Sequence, residues 1–121
     1  MITVLKDSHP VAREEHRCLL CNGTINKGQR YYLQTCVYDA APYDWIEHDE
    51  CYEVARELDM YKDCDDEGLT DEIFRANIDE FIWDNFTEEE SDRLYSLPYY
   101  EKVKIVLNKL KEKEMIRYYR T

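Results

Sequence analysis

Apolar and polar positions change their period once along this chain, at Asp49. Before it, residues 30–38 (RYYLQTCVY) are dense in aromatic and β-branched types and read as a strand. Residues 43–48 (YDWIEH) read as the returning strand, and Pro42 interrupts between them. The pair predicts a β-hairpin with a loop of several residues. Further upstream, Ile2, Val4 and Leu5 are the only early apolar cluster and predict a short strand or an ordered arm. After Asp49, Cys51, Val54, Ala55, Leu58 and Tyr61 (or Met60) fall on one helical face. That helix is expected to run into the acidic segment DCDDEG, with Gly68 as a stop. Thr70 is placed to cap a second helix striped by Ile73, Phe74, Ile78, Phe81 and Ile82. Thr87 and Glu90 have capping-box spacing and predict a third helix over 88–95. Pro98 fits near the first turn of a last helix, lined by Val103, Val106, Leu107 and Leu110. The fold class expected is α+β: a turn-and-hairpin unit with its helix over 1–62, then an acidic α-helical extension of about three helices over 63–121 packed on it.

The chemistry-bearing residues gather where the period changes. Cys18 and Cys21 form a C-x-x-C bracketed by the turn signals Gly23 and Gly28. His48 and Cys51 form an H-x-x-C at the junction of the last predicted strand and the first predicted helix. Zinc takes four tetrahedral nitrogen or sulfur donors, and a C-x-x-C turn delivers two thiolates to one edge of an ion. Cys51 would lie in the first turn of a helix, where backbone N–H groups favour a thiolate. Cys18, Cys21, His48 and Cys51 are therefore the expected ligands of one structural Zn2+. A filled four-ligand set leaves no open position for catalysis. His16, two residues before Cys18, is a competing ligand or a neighbour of the site. Cys36 reads as a core thiol, Cys64 as a free thiol in the acidic loop, and His9 as exposed.

The order of knuckle, hairpin and helix, with the second ligand pair at the helix start, resembles the treble-clef class of zinc fingers. The C-x-x-C…H-x-x-C order is also similar to the poly(ADP-ribose) polymerase-type fingers and the first finger of LIM domains. A nearer likeness is to small phage and prophage proteins of unassigned function. Cys18, Cys21, Ile25, Lys27, Gly28, Tyr31, Tyr32, His48, Cys51 and the DDEGLTDEIF segment carry it, over roughly residues 16–83. The resemblance implies a zinc-stabilised fold and a host-cell cytoplasmic setting, and it implies almost nothing about activity.

Charge narrows the choice of partner. The 121 residues carry a net charge of −11, which disfavours a nucleic-acid backbone or an anionic membrane as default partner. The charge is uneven: residues 39–92 hold 21 acidic and 3 basic side chains, and residues 93–121 hold 8 basic and 3 acidic. No apolar stretch approaches the ~20 residues of a membrane helix, and the N-terminus shows no signal-peptide pattern. A cytoplasmic, reducing setting is expected, where cysteines serve as metal ligands or free thiols. The acidic loop fails as an EF-hand, because the twelfth position counted from Asp63 is Phe74. No catalytic set stands out, so no enzyme is expected. The favoured function is a protein-interaction module that meets a basic protein partner through an acidic surface of Asp63, Asp65, Asp66, Glu67, Asp71 and Glu72. Its sharper form is a phage-encoded inhibitor of a nucleic-acid-binding host protein. The alternative is a nucleic-acid-binding finger using the basic C-terminal helix, with Lys102, Lys104, Lys109, Lys111, Lys113, Arg117 and Arg120.

Overall fold

The computed structural model describes residues 2–61 and 69–120. Its strands and helices place it in the α+β class. Strands β1 (Ile2–Ser8), β4 (Tyr31–Tyr38) and β5 (Ala41–His48) form an antiparallel sheet in the order β1-β4-β5. Two short strands, β2 (His16–Arg17) and β3 (Thr24–Ile25), pair beside it and frame the C-x-x-C turn. Helices α1 (Asp49–Glu57), α2 (Asp71–Asn85), α3 (Glu88–Tyr95) and α4 (Tyr99–Arg120) follow.

The hairpin is tighter than its sequence predicts. Tyr38 pairs with Ala41, so only Asp39 and Ala40 make the turn. Both take left-handed backbone conformations, with φ of 52° and 65°. Two successive positive φ values are the mark of a type I′ turn, whose twist suits adjoining strands. Pro42 therefore lies inside β5, opposite Val37, instead of ending the strand. An edge strand can accept proline because it pairs on one side alone. The register carries down to Tyr31 opposite His48, which sets His48 at the foot of the hairpin.

Helix α1 also stops earlier than expected, at Glu57. Asp59 turns left-handed at φ 53°. The Met60 amide then donates to the Ala55 carbonyl (2.9 Å) and the Asp59 amide to the Arg56 carbonyl (3.1 Å). This is a Schellman closure, which usually takes glycine at the left-handed position. Elsewhere the local signals hold. The Thr70 hydroxyl accepts from the Ile73 amide at 3.2 Å. Thr87 and Glu90 exchange both bonds of a capping box, and α3 spans Glu88–Tyr95 as the spacing predicts.

One apolar cluster joins the two ends of the chain. Leu20 and Ile25 from the knuckle, Val54 from α1, Phe74 and Ile78 from α2, and Val103 and Val106 from α4 are all fully buried in it. Helix α4 packs on both α1 and α2. The boundary expected at 62–63, and Cys64 with it, lie outside the described residues. No helix among the described residues is long and apolar enough to cross a membrane.

Candidate metal centre

The local elements deliver four donors to one point. The 18–21 turn is held by the Cys18 amide donating to the Gly23 carbonyl (2.9 Å) and the Asn22 amide to the Cys18 carbonyl (3.0 Å). Asn22 itself is left-handed, at φ 62°. The Leu19 amide reaches the Ile46 carbonyl at 2.9 Å, which fastens the turn to the foot of β5. His48 ends that strand and is the N-cap of α1, so Cys51 falls in the helix's first turn. Cys18, Cys21, His48 and Cys51 are all buried, and their ligand atoms lie within 4.8 Å of one another. The Cys21 Sγ is 3.3 Å and the Cys51 Sγ 3.8 Å from His48 Nδ1. Such a buried set of three thiols and an imidazole can hold one metal ion.

Backbone donors are aimed at the sulfurs. The amides of Cys21 (3.5 Å) and His48 (3.3 Å) point to Cys18 Sγ, and that of Gly23 points to Cys21 Sγ at 3.3 Å. Three N–H groups on two sulfurs favour thiolates over thiols. His48 Nε2 lies 3.0 Å from the Thr24 carbonyl. A carbonyl can only accept, so Nε2 carries a proton and Nδ1 is the nitrogen turned to the cysteines, where its lone pair would meet a bound ion. The Tyr100 ring of α4 stacks on the imidazole, with centroids 3.8 Å apart and planes 14° from parallel. Gln29 donates to the Tyr100 hydroxyl at 3.3 Å. Gly23 is wedged among these groups. A Cβ there would come within 3.3 Å of Cys21 Sγ, 3.4 Å of Tyr100 Cβ and 3.5 Å of His48 Cε1.

The donors compete for protons. Hydrogen bonds with the Cys21 and Cys51 thiols hold Cys18 far below the usual thiol range, against the effect of burial. Burial, with the thiolate character of its neighbours, pushes Cys51 well up. Burial pulls His48 down, but its bonds to Cys18 and Cys21 win and raise it to about 10. Each proton retained this way is one that a bound cation would displace.

No family model, curated protein or solved structure matches this chain. The reading of the site therefore rests on its own geometry.

The other residues singled out from the sequence fall as follows. His16 packs against Tyr31 with the rings tilted and centroids 5.1 Å apart, and stands outside the cluster. Cys36 is buried in β4, its thiol 3.2 Å from the Gln34 Oε1 atom, and burial raises its pKa. His9 is half-exposed and bonded to Asp49 at 2.8 Å. Asp63, Asp65, Asp66 and Glu67 lie outside the described residues. Asp71 is engaged rather than free: it accepts from Asn22 Nδ2 (3.3 Å) and Arg75 Nη2 (2.9 Å), which ties the start of α2 to the knuckle. The Asn22 bond is the chief cause of its lowered pKa. Glu72 is exposed.

Three contributors were not visible in the sequence. Tyr100 and the Thr24 carbonyl carry no ligand signal, and Gly23 signals only a turn. A fourth residue, Glu47, sits one position before His48 and is fully buried on the opposite face of β5. It accepts from Trp45 Nε1 (2.6 Å) and the Tyr61 hydroxyl (2.5 Å). Burial outweighs those bonds and pushes its carboxyl up to about 7.

Proposed function

We propose that Cys18, Cys21, His48 and Cys51 hold one structural zinc ion in a treble-clef arrangement. The unit so fixed would be a protein-interaction module with a basic partner. Support for the ion comes from the donor set. Zinc bound by sulfur at about 2.3 Å and nitrogen at about 2.0 Å spaces tetrahedral donors by roughly 3.5–3.8 Å. The 3.3 Å and 3.8 Å separations to His48 Nδ1 lie on either side of the sulfur–nitrogen spacing, and all four ligand atoms lie within 4.8 Å of one another, so small side-chain adjustments would close the shell around an ion. Three thiolates and an imidazole close the coordination shell, so the ion's contribution is to folding. Such sites supply on the order of 10–16 kcal/mol at neutral pH, more than the ~5–15 kcal/mol stability of a typical domain.

Support for the partner class is electrostatic. Helix α2 carries five acidic side chains and one basic, and α3 four and one. A surface of that sign attracts a basic protein and repels nucleic acid. In its sharper form, a phage-encoded inhibitor would present these carboxylates in place of phosphates to a nucleic-acid-binding host protein. The basic α4 is a weaker candidate for nucleic acid. Its Lys102 is buried against Asp79, and Lys104 and Lys109 pair with Glu101 and Glu112 on the same helix.

Elemental analysis of protein purified without added metal should give one zinc per chain. Titration against a basic nuclease should show binding that weakens steeply with salt. Salt-insensitive or absent binding, with an oligonucleotide gel shift at low salt, would instead favour a nucleic-acid-binding finger.

A further inference from the structure

Two large aromatic side chains stand in solvent on the acidic helices. Trp83 on α2 is 68% exposed and Tyr95 at the end of α3 is 80% exposed. They line one groove of about 300 Å³ between α2, α3 and the start of α4. Ile82 and Leu94 contribute apolar surface to it, and Asp92 and Asp79 contribute carboxylates.

One end of the groove already holds a cation. Lys102 Nζ lies 4.2 Å from the Tyr99 centroid, 5.4 Å from the Tyr95 centroid and 3.3 Å from Asp79 Oδ1. Its side chain is only 3% exposed. Ring faces and a carboxylate around an ammonium are a stable arrangement when water is largely excluded. The remainder of the groove has the same parts with no cation among them. No cation lies over the Trp83 ring among the described residues, Tyr95 keeps most of its ring in solvent beside Lys102, and Asp92 makes no hydrogen bond or ion pair among the described residues. Asp79 offsets the Lys102 charge, so Asp92 and the other acidic side chains of α2 and α3 leave the groove negative.

We propose that this groove receives an arginine side chain from a basic segment of a partner protein. The guanidinium would lie on the Trp83 and Tyr95 rings and pair with Asp92. Arginine suits it better than lysine, because its planar fork both stacks on aromatic faces and bonds a carboxylate in bidentate fashion. Tryptophan and tyrosine are the side chains that most often anchor protein interfaces, and the charge of the helices selects a basic occupant over an anionic one. This inference rests on the interaction-module reading and adds the place and the side chain recognised.

The test uses the full, zinc-loaded chain and a synthetic peptide alternating arginine and leucine, with the same peptide carrying glutamine for arginine as the control probe. The two tryptophan indole N–H signals in nitrogen-edited NMR report the site. Trp45 is an internal reference, because its N–H is already bonded to Glu47. The arginine peptide should move the Trp83 signal and leave that of Trp45 in place, while the glutamine peptide moves neither. Trp83→Ala should weaken binding about tenfold. Asp92→Asn should weaken it a few-fold, whereas Asp44→Asn, the same charge change on the hairpin, leaves it unchanged. Arginine-peptide binding with Trp83 silent, or equal losses for Asp92→Asn and Asp44→Asn, overturns the groove assignment while the module reading stands. A Trp83 shift with protein concentration alone also overturns it, since the occupant is then a second copy of this chain. A Trp83 shift with a single-stranded oligonucleotide and none with the peptide overturns both readings. No shift with any probe overturns the groove and leaves the module reading to the basic-nuclease titration.

Discussion

Replacing Tyr100 separates what the ring does for His48 from what the hydroxyl does for the fold. The ring lies 3.8 Å from the imidazole and nearly parallel to it, and the hydroxyl accepts from Gln29. Tyr100→Leu removes both contacts. Aromatic pairing contributes ~0.5–1.5 kcal/mol beyond buried area, and the Gln29 bond a further ~0.5–1.5 kcal/mol. Losing the ring also leaves the imidazole freer to rotate off the Thr24 carbonyl. Support of that kind for a metal ligand is worth about 10–100-fold in affinity. Tyr100→Phe keeps the stack and loses only the hydroxyl. Zinc affinity measured by competition with a chromophoric chelator should fall 10–100-fold for Tyr100→Leu and by less than about threefold for Tyr100→Phe. Urea unfolding of the zinc-loaded forms should show both variants destabilised, the leucine variant more. Equal affinity losses in the two variants, or none in the leucine variant, would refute the role given to the ring.

Chelation at neutral pH should abolish the near-ultraviolet circular dichroism of at least the 16–60 segment, and zinc should restore it. Acidification should act in the same direction, because protons displace the ion from the thiolates and stability then falls as pH falls. Cys51→Ser should lose the bound zinc, whereas Cys36→Ser should retain one ion per chain by elemental analysis, since Cys36 lies outside the cluster. Ala40→Gly should raise stability by about 0.5–1 kcal/mol, because alanine at φ 65° carries a left-handed penalty that glycine escapes. A lower urea midpoint for that variant would contradict the turn geometry.

The donors and the helix starts were legible because each is a short-range signal. Two C-x-x-C-like pairs at a change of period mark the four donors that the fold gathers, and Thr87 with Glu90 marks the start of α3 within four residues of sequence. What escaped was set either by backbone conformation without its usual residue or by distant contact. Asp39, Ala40 and Asp59 all adopt the left-handed region without glycine, so neither the two-residue turn nor the early end of α1 announced itself. Tyr100 reaches His48 across 52 positions of sequence, and Asp71 reaches Asn22 across 49. Local periodicity cannot report such pairs. Glu47 carries no local signal of burial either: its partners Trp45 and Tyr61 are set by the fold of the strand against the turn after α1.

If the four donors hold an ion as proposed, the stack of Tyr100 on His48 makes helix α4 a partner in its equilibrium. Whatever free energy the two rings exchange must appear in both directions. A ligand that steadies α4 tightens the hold of the four donors, and filling the donors steadies α4 by the same factor. Because α4 also supplies one wall of the groove beside Trp83, the supply of metal in the cell would set how firmly that distant surface is presented.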